Sequence, residues 1–219
     1  MAKLDLTNTN ENAIATNEGS SSMMTGAWGT EDLSVPRLSL VQATSSLDEY
    51  DKGTFVYDKQ VQVNRRDEEF DAYVLQMHKY YEEDLEFGSG ERPKRYTSAD
   101  EALAEGRVPK FSNQSGVEFS ERCDMVLLIP VPMEFAHYEV AGQGYVKAMY
   151  TFKSTSYNIA KRVFTATNSK NAGGVTYALR WKMSSELKTN GSNKWYVPSL
   201  VNQGKAEAEV AEYIANEVA

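Results

Sequence analysis

The sequence has few of the residues on which disulfides, metal sites and membrane spans depend. It contains one cysteine, Cys123, and two histidines, His78 and His137, which are far apart in the chain. A single cysteine excludes an internal disulfide and favours a reducing compartment, and zinc would need a cluster of Cys and His that is missing. No apolar run approaches the roughly 20 residues of a membrane-spanning helix, and no charged and then apolar segment marks a secretion signal. We therefore expect a protein that is neither secreted nor inserted in a membrane.

Signature motifs of common enzyme classes are missing as well. The sequence contains no Walker loop and no GxGxxG or GxSxG pattern. Cys123 opens an apolar segment, which indicates a buried thiol rather than a nucleophile. An acidic group could hold Mg²⁺ in a metal-dependent nuclease, although a solvated acidic turn fits its position better; its members are Glu82, Glu83, Asp84 and Glu86. We predict a protein without catalytic activity, cofactor or bound metal.

Charge is unevenly distributed along the chain. The 219 residues carry a formal net charge of −8, which by itself argues against a polyanionic partner. Residues 145–205, however, contain ten Lys or Arg and one acid, so this segment carries +9 and the remainder −17. Because salt screens charges beyond about 10 Å, a polyanion responds to the local patch more than to the total. The basic segment therefore favours a functional surface over an ordinary solvated face.

The hydrophobic pattern predicts one β-rich domain, residues 34–203, between two different ends. Residues 1–33 are rich in Asn, Thr, Ser and Gly and indicate a flexible tail. Residues 82–121 form an insertion between strands, in which Ser98 to Glu101 read as the capping box of a short helix. The strands predicted in the first part of the domain are 54–57, 60–63, a long central strand at 70–81, and an apolar strand at 123–131.

The second part of the domain has the clearest periodicity. Ser154 is predicted to cap a helix from Thr155 to about Thr167, and Asn190-Gly191 is predicted to form a hairpin turn. Two alternating runs put one set of residues toward a core: Val146, Ala148, Tyr150 and Phe152, then Val175, Tyr177, Leu179, Trp181 and Met183. Short strands with long connections and no βαβ repetition predict an antiparallel barrel or sandwich.

Residues 204–219 predict an acidic C-terminal helix with Val210, Tyr213 and Ile214 on one side. Such a helix could cover an open edge of the barrel. Alternatively, its acids could compete with nucleic acid for a basic groove or recruit replication proteins. The two interpretations are compatible.

Outward-facing cations and aromatic rings provide what unpaired nucleic acid requires. Cations along a groove contact phosphates, and each base stacked on a ring contributes about 1–3 kcal/mol. Lys147, Arg180 and Lys182 recur on the face opposite the predicted core in two separate strands, although tyrosine and tryptophan are also what a β core uses. The candidate single-stranded DNA-binding residues are Lys79, Tyr80, Tyr81, Lys147, Lys153, Tyr157, Arg180, Lys182, Lys194 and Trp195.

The order of four stretches resembles bacteriophage single-stranded DNA-binding proteins with an OB fold. These stretches are 35–42, 73–81, 149–162 and 177–197. The resemblance implies a mainly β, OB-fold-like antiparallel β-barrel with one internal helix and a C-terminal helix. It also implies a protein that coats single-stranded DNA without sequence specificity during phage DNA replication or recombination, in the cytoplasm of the infected host cell. The alternative is a protein-interaction or virion structural protein whose lysines form an ordinary surface and whose acidic helix makes the contact.

Overall fold

The structure is a computed structural model that describes residues 35–86, 89–169 and 172–218. The predicted tail at 1–33 lies outside these described residues. The strands are β1 Leu38–Leu40, β2 Phe55–Tyr57, β3 Val61–Gln62, β4 Phe70–Glu83, β5 Arg95–Tyr96, β6 Val108–Pro109, β7 Glu118–Val131, β8 Tyr138–Val140, β9 Gln143–Lys153, β10 Leu179–Asn190 and β11 Asn193–Lys205. The α-helices are α1 Ala99–Ala104, α2 Tyr157–Thr167 and α3 Ala208–Tyr213, and a π-helical turn, Ile214–Val218, continues α3.

The fold is mainly β, as predicted, and is built on one large sheet. Its path of hydrogen-bonded strands is β11-β10-β4-β7-β9-β8, with β5 beside β4 and β6 beside β7. All pairs are antiparallel except β6 with β7. The prediction of a long central strand is confirmed by β4, which pairs with both β10 and β7. A second, small sheet has the order β1-β2-β3.

Contacts between the small and the large sheet span the gap between β9 and β11. Arg37 forms a parallel bridge with Met149 beside β1. On the other side, the Gln42 amide donates to the Tyr196 carbonyl and accepts from the Tyr196 N–H, both at 2.8 Å. The Tyr196 ring lies on Gly53, where a Cβ would come within 2.6 Å of a ring carbon. Within the described residues the strands form two sheets and not one closed barrel.

The large sheet is buried on both faces. The main core lies between it, the small sheet and α2. As predicted, it contains Val146, Ala148 and Phe152 of β9 and Leu179, Trp181 and Met183 of β10, whereas Val175, predicted to face the core, is exposed. A second cluster on the opposite face contains Tyr73, Leu128 and Tyr145, and the C-terminal helical segment covers it with Val210, Ile214 and Val218. The terminal helix therefore covers an apolar face of the large sheet, and not the open barrel edge that was predicted. Burying both faces removes more apolar area from water than one face could.

Local predictions were wrong at two positions in the second half. Ser154 does not cap α2: it adopts a φ of +52° at the start of a 3-10 turn, Ser154–Ser156, and α2 begins at Tyr157. The turn is closed instead by the Ser156 hydroxyl, which accepts from the Lys153 N–H at 3.0 Å. The strand expected from residue 175 begins only at Leu179, because Thr176–Ala178 form a 3-10 turn. Tyr177 accordingly packs on the second cluster and not in the main core.

The acidic group at the start of the insertion is not the solvated turn that the sequence predicted. Glu83 is buried and accepts hydrogen bonds from the Lys94 N–H at 2.9 Å, the Tyr96 hydroxyl at 3.0 Å and the Arg107 guanidinium. Burial alone would raise the pKa of Glu83, but these three donors outweigh it and hold that pKa below its usual value. The prediction failed for Glu82 and Glu83 because β4 continues to Glu83 and the insertion brings Arg95 to Glu82 and Arg107 to Glu83. Glu86, beyond the strand, is exposed as predicted.

Asp84 is held in the same way, at 2.6 Å from Arg122 and 3.1 Å from Lys110. These ion pairs fasten the insertion to β4 and β7. The helix predicted in the insertion is confirmed as α1, and the Ser98 hydroxyl caps it by accepting from the Glu101 N–H at 3.2 Å. The insertion is therefore a structured extension of the sheet.

Candidate nucleic-acid interface

A groove of about 530 Å³ lies where the end of β9 faces the β10–β11 hairpin. It brings together three of the ten residues predicted from the sequence, namely Lys153, Lys194 and Trp195. Both lysines are exposed, and no carboxylate is among the described residues that line it. We call this depression the basic groove. Positive charge beside an aromatic ring is the combination that unpaired nucleic acid requires.

The strand ends and the hairpin register fix the positions of the three side chains. Lys153 is the last residue of β9. On β11, Lys194 lies opposite Thr189, and Trp195 lies opposite Lys188. The two hydrogen bonds between Gln42 and Tyr196, described above, hold this end of the hairpin against the small sheet. The groove is therefore shaped before any ligand arrives.

A second depression of about 420 Å³ extends the surface beyond Trp195, which lines both. It adds the cations Arg162 and Lys188 and one carboxylate, Glu186. Lys188 bonds to Glu186 at 2.7 Å and, as the largest influence, lowers the pKa of that carboxyl. Glu186 therefore stays ionised and neutralises Lys188, which leaves Arg162 as the net positive charge of this extension.

A second group of predicted residues lies at the insertion. Lys79 is 2.9 Å from Glu121 and lies 5.0 Å from the centre of the Tyr81 ring. The hydrogen bonds of Lys79 with Tyr81 and Glu121 raise its pKa, so this side chain is charged. Tyr81 is half-buried and packs edge-on against Phe119, with ring centres 5.9 Å apart.

Tyr80 and Tyr157 are not exposed stacking surfaces, in contrast to the sequence prediction. Tyr80 is buried because it lies on the other face of β4, where its hydroxyl donates to Asp124 at 3.2 Å and Arg95 covers its ring at 4.5 Å. Tyr157 is buried because it begins α2, which packs on the main core. Burial raises the pKa of both hydroxyls, and the Tyr80 pKa reaches about 12. Neither ring can accept a base without rearrangement.

The cations that the sequence ranked highest form a third group, beside the C-terminal helix. Lys182 is 3.1 Å from Asp71, and Arg180 pairs with Glu207 and lies 3.8 Å from Asp71. Lys147 lies 5.7 Å from the centre of the Tyr138 ring. Lys188 lies on β10 opposite the groove residue Trp195. Because roughly 20 Å of extended strand separates Lys182 from Lys188, this third group is remote from the basic groove. Alternation along β10 indicated correctly that these side chains face away from the main core, but it could not show the carboxylates that neutralise them.

Sequence reasoning missed Gln42, which lines the basic groove, and Arg37, which contacts the lining residue Thr151. Gln42 is 154 positions from its partner Tyr196, and no local signal connects them. Arg37 donates to the Thr151 hydroxyl at 3.3 Å and so adds a cation near the end of β9. Both belong to the stretch 35–42, at the start of the described residues.

The described residues contain no grouping of three or more His, Cys, Asp or Glu that could hold a metal ion. None of the helices in the described part of the chain has the length and apolar character needed to cross a bilayer. Comparisons with protein-family models, with curated proteins and with solved structures found no match to this chain.

Proposed function

We propose that the protein binds single-stranded DNA without sequence specificity through the basic groove, and that it does so without catalysis. The observation that carries the proposal is the convergence of Lys153, Lys194 and Trp195 on one depression without a carboxylate among its described lining residues. The cations would contact successive phosphates, and the Trp195 ring would stack on a base. Stacking favours every base to a similar degree because each has a π-face, so sequence tolerance follows from the chemistry of the groove.

The arrangement of the long strands supports an OB-like interpretation of the fold. The five long strands β4, β7, β9, β10 and β11 follow one another along the chain, with α2 between the third and the fourth. An OB fold is a five-stranded, partly open Greek-key barrel that binds oligonucleotides. In this proposal the small sheet fills the opening between β9 and β11 through Arg37 and Gln42.

The biological role that we propose is the coating of single-stranded DNA during phage DNA replication or recombination in the cytoplasm of an infected cell. The acidic C-terminal segment supports a second contact, with replication proteins. A depression of about 440 Å³ beside α3 is lined by four carboxylates: Glu139, Glu209, Glu212 and Glu217. Such a surface repels DNA and suits a basic protein surface.

Fluorescence anisotropy with labelled oligonucleotides tests the proposal. We expect the protein to bind a single strand more tightly than the matching duplex, with an affinity that falls as salt increases. The double variant Lys153→Glu/Lys194→Glu should lose most of this binding. The control Lys59→Glu/Arg92→Glu makes the same change of charge at two exposed positions outside the groove and should bind like the wild type.

Three outcomes would contradict the proposal. Equal affinity for single strand and duplex would exclude selective binding of unpaired DNA. Absence of binding to either at moderate salt would favour the interaction or virion structural protein considered as the alternative. Degradation of the oligonucleotide with Mg²⁺ present would instead point to nuclease activity.

A further inference from the structure

Next to the basic groove lies a larger cavity that the insertion forms against the sheet. It has a volume of about 620 Å³, with Tyr81 and Phe119 on the sheet side and Phe111 on the insertion side. Ser154 and Thr155 line both this cavity and the basic groove. We call the cavity the insertion pocket. The insertion pocket and the basic groove therefore adjoin at Ser154 and Thr155.

Phe111 is held in a conformation that packing does not explain. Its side chain is 87% exposed, and its backbone has a φ of +64°, a left-handed value that is rare for a bulky residue. The neighbouring backbone imposes this conformation, because the Lys110 N–H donates to the Phe119 carbonyl at 2.9 Å and the Ser112 N–H to the Pro109 carbonyl at 3.0 Å. An aromatic ring that a strained turn presents to solvent suggests a role in binding.

Lysines outnumber carboxylates by one around Glu121, at the rim of the insertion pocket. The Lys110 ammonium, paired with Asp84 at 3.1 Å, is 5.6 Å from the centre of the Phe111 ring. The carboxylate that lines the pocket, Glu121, is paired with Lys79 at 2.9 Å and with Lys161 at 3.4 Å. These lysines are the reason that Glu121 keeps a lowered pKa, although burial alone would raise it. Aromatic walls with an excess of lysine at the rim suit a base and its phosphate better than a cationic or a purely apolar ligand.

We infer that the insertion pocket is a second base-binding subsite. A strand that occupies the basic groove would continue past Ser154 and Thr155, and one of its bases would stack on Phe111. This inference rests on the proposed function and assigns a role to the insertion at 82–121. Binding should then depend on Phe111 only when the strand is long enough to reach it.

The test compares Phe111→Ala with Phe164→Ala on a series of oligothymidylates of increasing length. Phe164 is the matched control, because it is 63% exposed on α2 and does not line the pocket. Loss of one stacked base should weaken binding of long strands by about 5- to 150-fold in the Phe111 variant. The shortest strands that the wild type binds should be affected little, and Phe164→Ala should bind all lengths normally.

The outcomes separate the subsite from the groove. If Phe111→Ala binds long strands like the wild type, the subsite is refuted while the groove stands. If the wild type binds no strand of any length, the proposed function itself fails. Phe111→Gly adds a control for folding, since glycine tolerates the left-handed backbone: its Tm should be no lower than that of the wild type while long-strand binding is still lost.

Photo-crosslinking locates the contact directly. With 5-iodouracil placed along a long strand, mass spectrometry should find adducts on Phe111 or Tyr81 in addition to Trp195. Adducts confined to Trp195 at every position of the label would overturn the inference.

Discussion

Substitution of Trp195 and substitution of the two groove lysines should weaken DNA binding in different ways, because the ring contributes base stacking and the lysines contribute phosphate contacts. The Trp195 ring is half-buried between the basic groove and its extension, so it can offer one face to a single base. One stacked base contributes about 1–3 kcal/mol. At about 1.4 kcal/mol for each factor of ten, Trp195→Ala should weaken binding by roughly 5- to 150-fold. Stacking releases no counterions, so this factor should be similar at every salt concentration.

Lys153→Ala/Lys194→Ala should instead change the dependence on salt. Each phosphate contact to a single strand contributes about 0.7 to the slope of log K against log salt concentration. Loss of two contacts should therefore make that slope shallower by about 1.4. The double variant should bind the oligonucleotide much more weakly than the wild type at low salt. At high salt the two affinities should become similar.

The assay is anisotropy titration of one oligonucleotide length at five or more salt concentrations with wild type and both variants. Circular dichroism melting of each variant checks that the hairpin is intact. The reasoning is refuted if Trp195→Ala alters the salt slope as much as the lysine variant does. It is also refuted if the lysine variant keeps the wild-type slope, since the groove would then not contact phosphate.

Three further predictions concern the stability and reactivity of the domain. Ile214→Ala leaves a cavity at a fully buried position where the C-terminal helical segment packs on the second cluster. It should lower the free energy of unfolding by about 2–5 kcal/mol in urea titrations. A loss below about 0.5 kcal/mol would show that this segment does not cover the second cluster. Glu83 and Asp84 have lowered pKa values, so their ionised carboxylates stabilise the folded state. This contribution is present above about pH 4.5 and is lost as pH falls through the pKa values of the folded state. Thermal melts between pH 7 and pH 3 should therefore show a smaller acid-induced fall in Tm for Glu83→Gln than for the wild type, and equal falls would contradict the buried network. Cys123 is buried, which raises its thiol pKa to about 11, so a thiol reagent at pH 8 should label it only after denaturant is added.

Much of the fold could be predicted from local patterns. Apolar alternation identified β9 and the inward face of β10 because a strand buried on one face repeats every two residues, and β-rich composition identified β4. The buried side of α2 followed from the helical period in the same way, with Val163 fully buried. The hairpin between β10 and β11 followed from a short turn signal between two β-rich runs.

The candidate site was less predictable, because neutralisation and burial depend on distant residues. Arg180 and Lys182 looked like the strongest DNA contacts, yet Asp71 and Glu207 reach them from other elements. Tyr80 looked like a stacking surface, yet Arg95 of the insertion covers its ring. In each case the deciding partner lies far away in the chain, where strand periodicity carries no information.

The sequence by itself determined where the long strands lie, which face of β9 and β10 is apolar, and that positive charge collects in residues 145–205, because these properties follow from side-chain chemistry and local periodicity. Only the tertiary structure decided which of those cations share a groove with an aromatic ring. That choice depends on how β9 and the hairpin come together around Gln42, and packing and hydrogen bonds between distant segments control it.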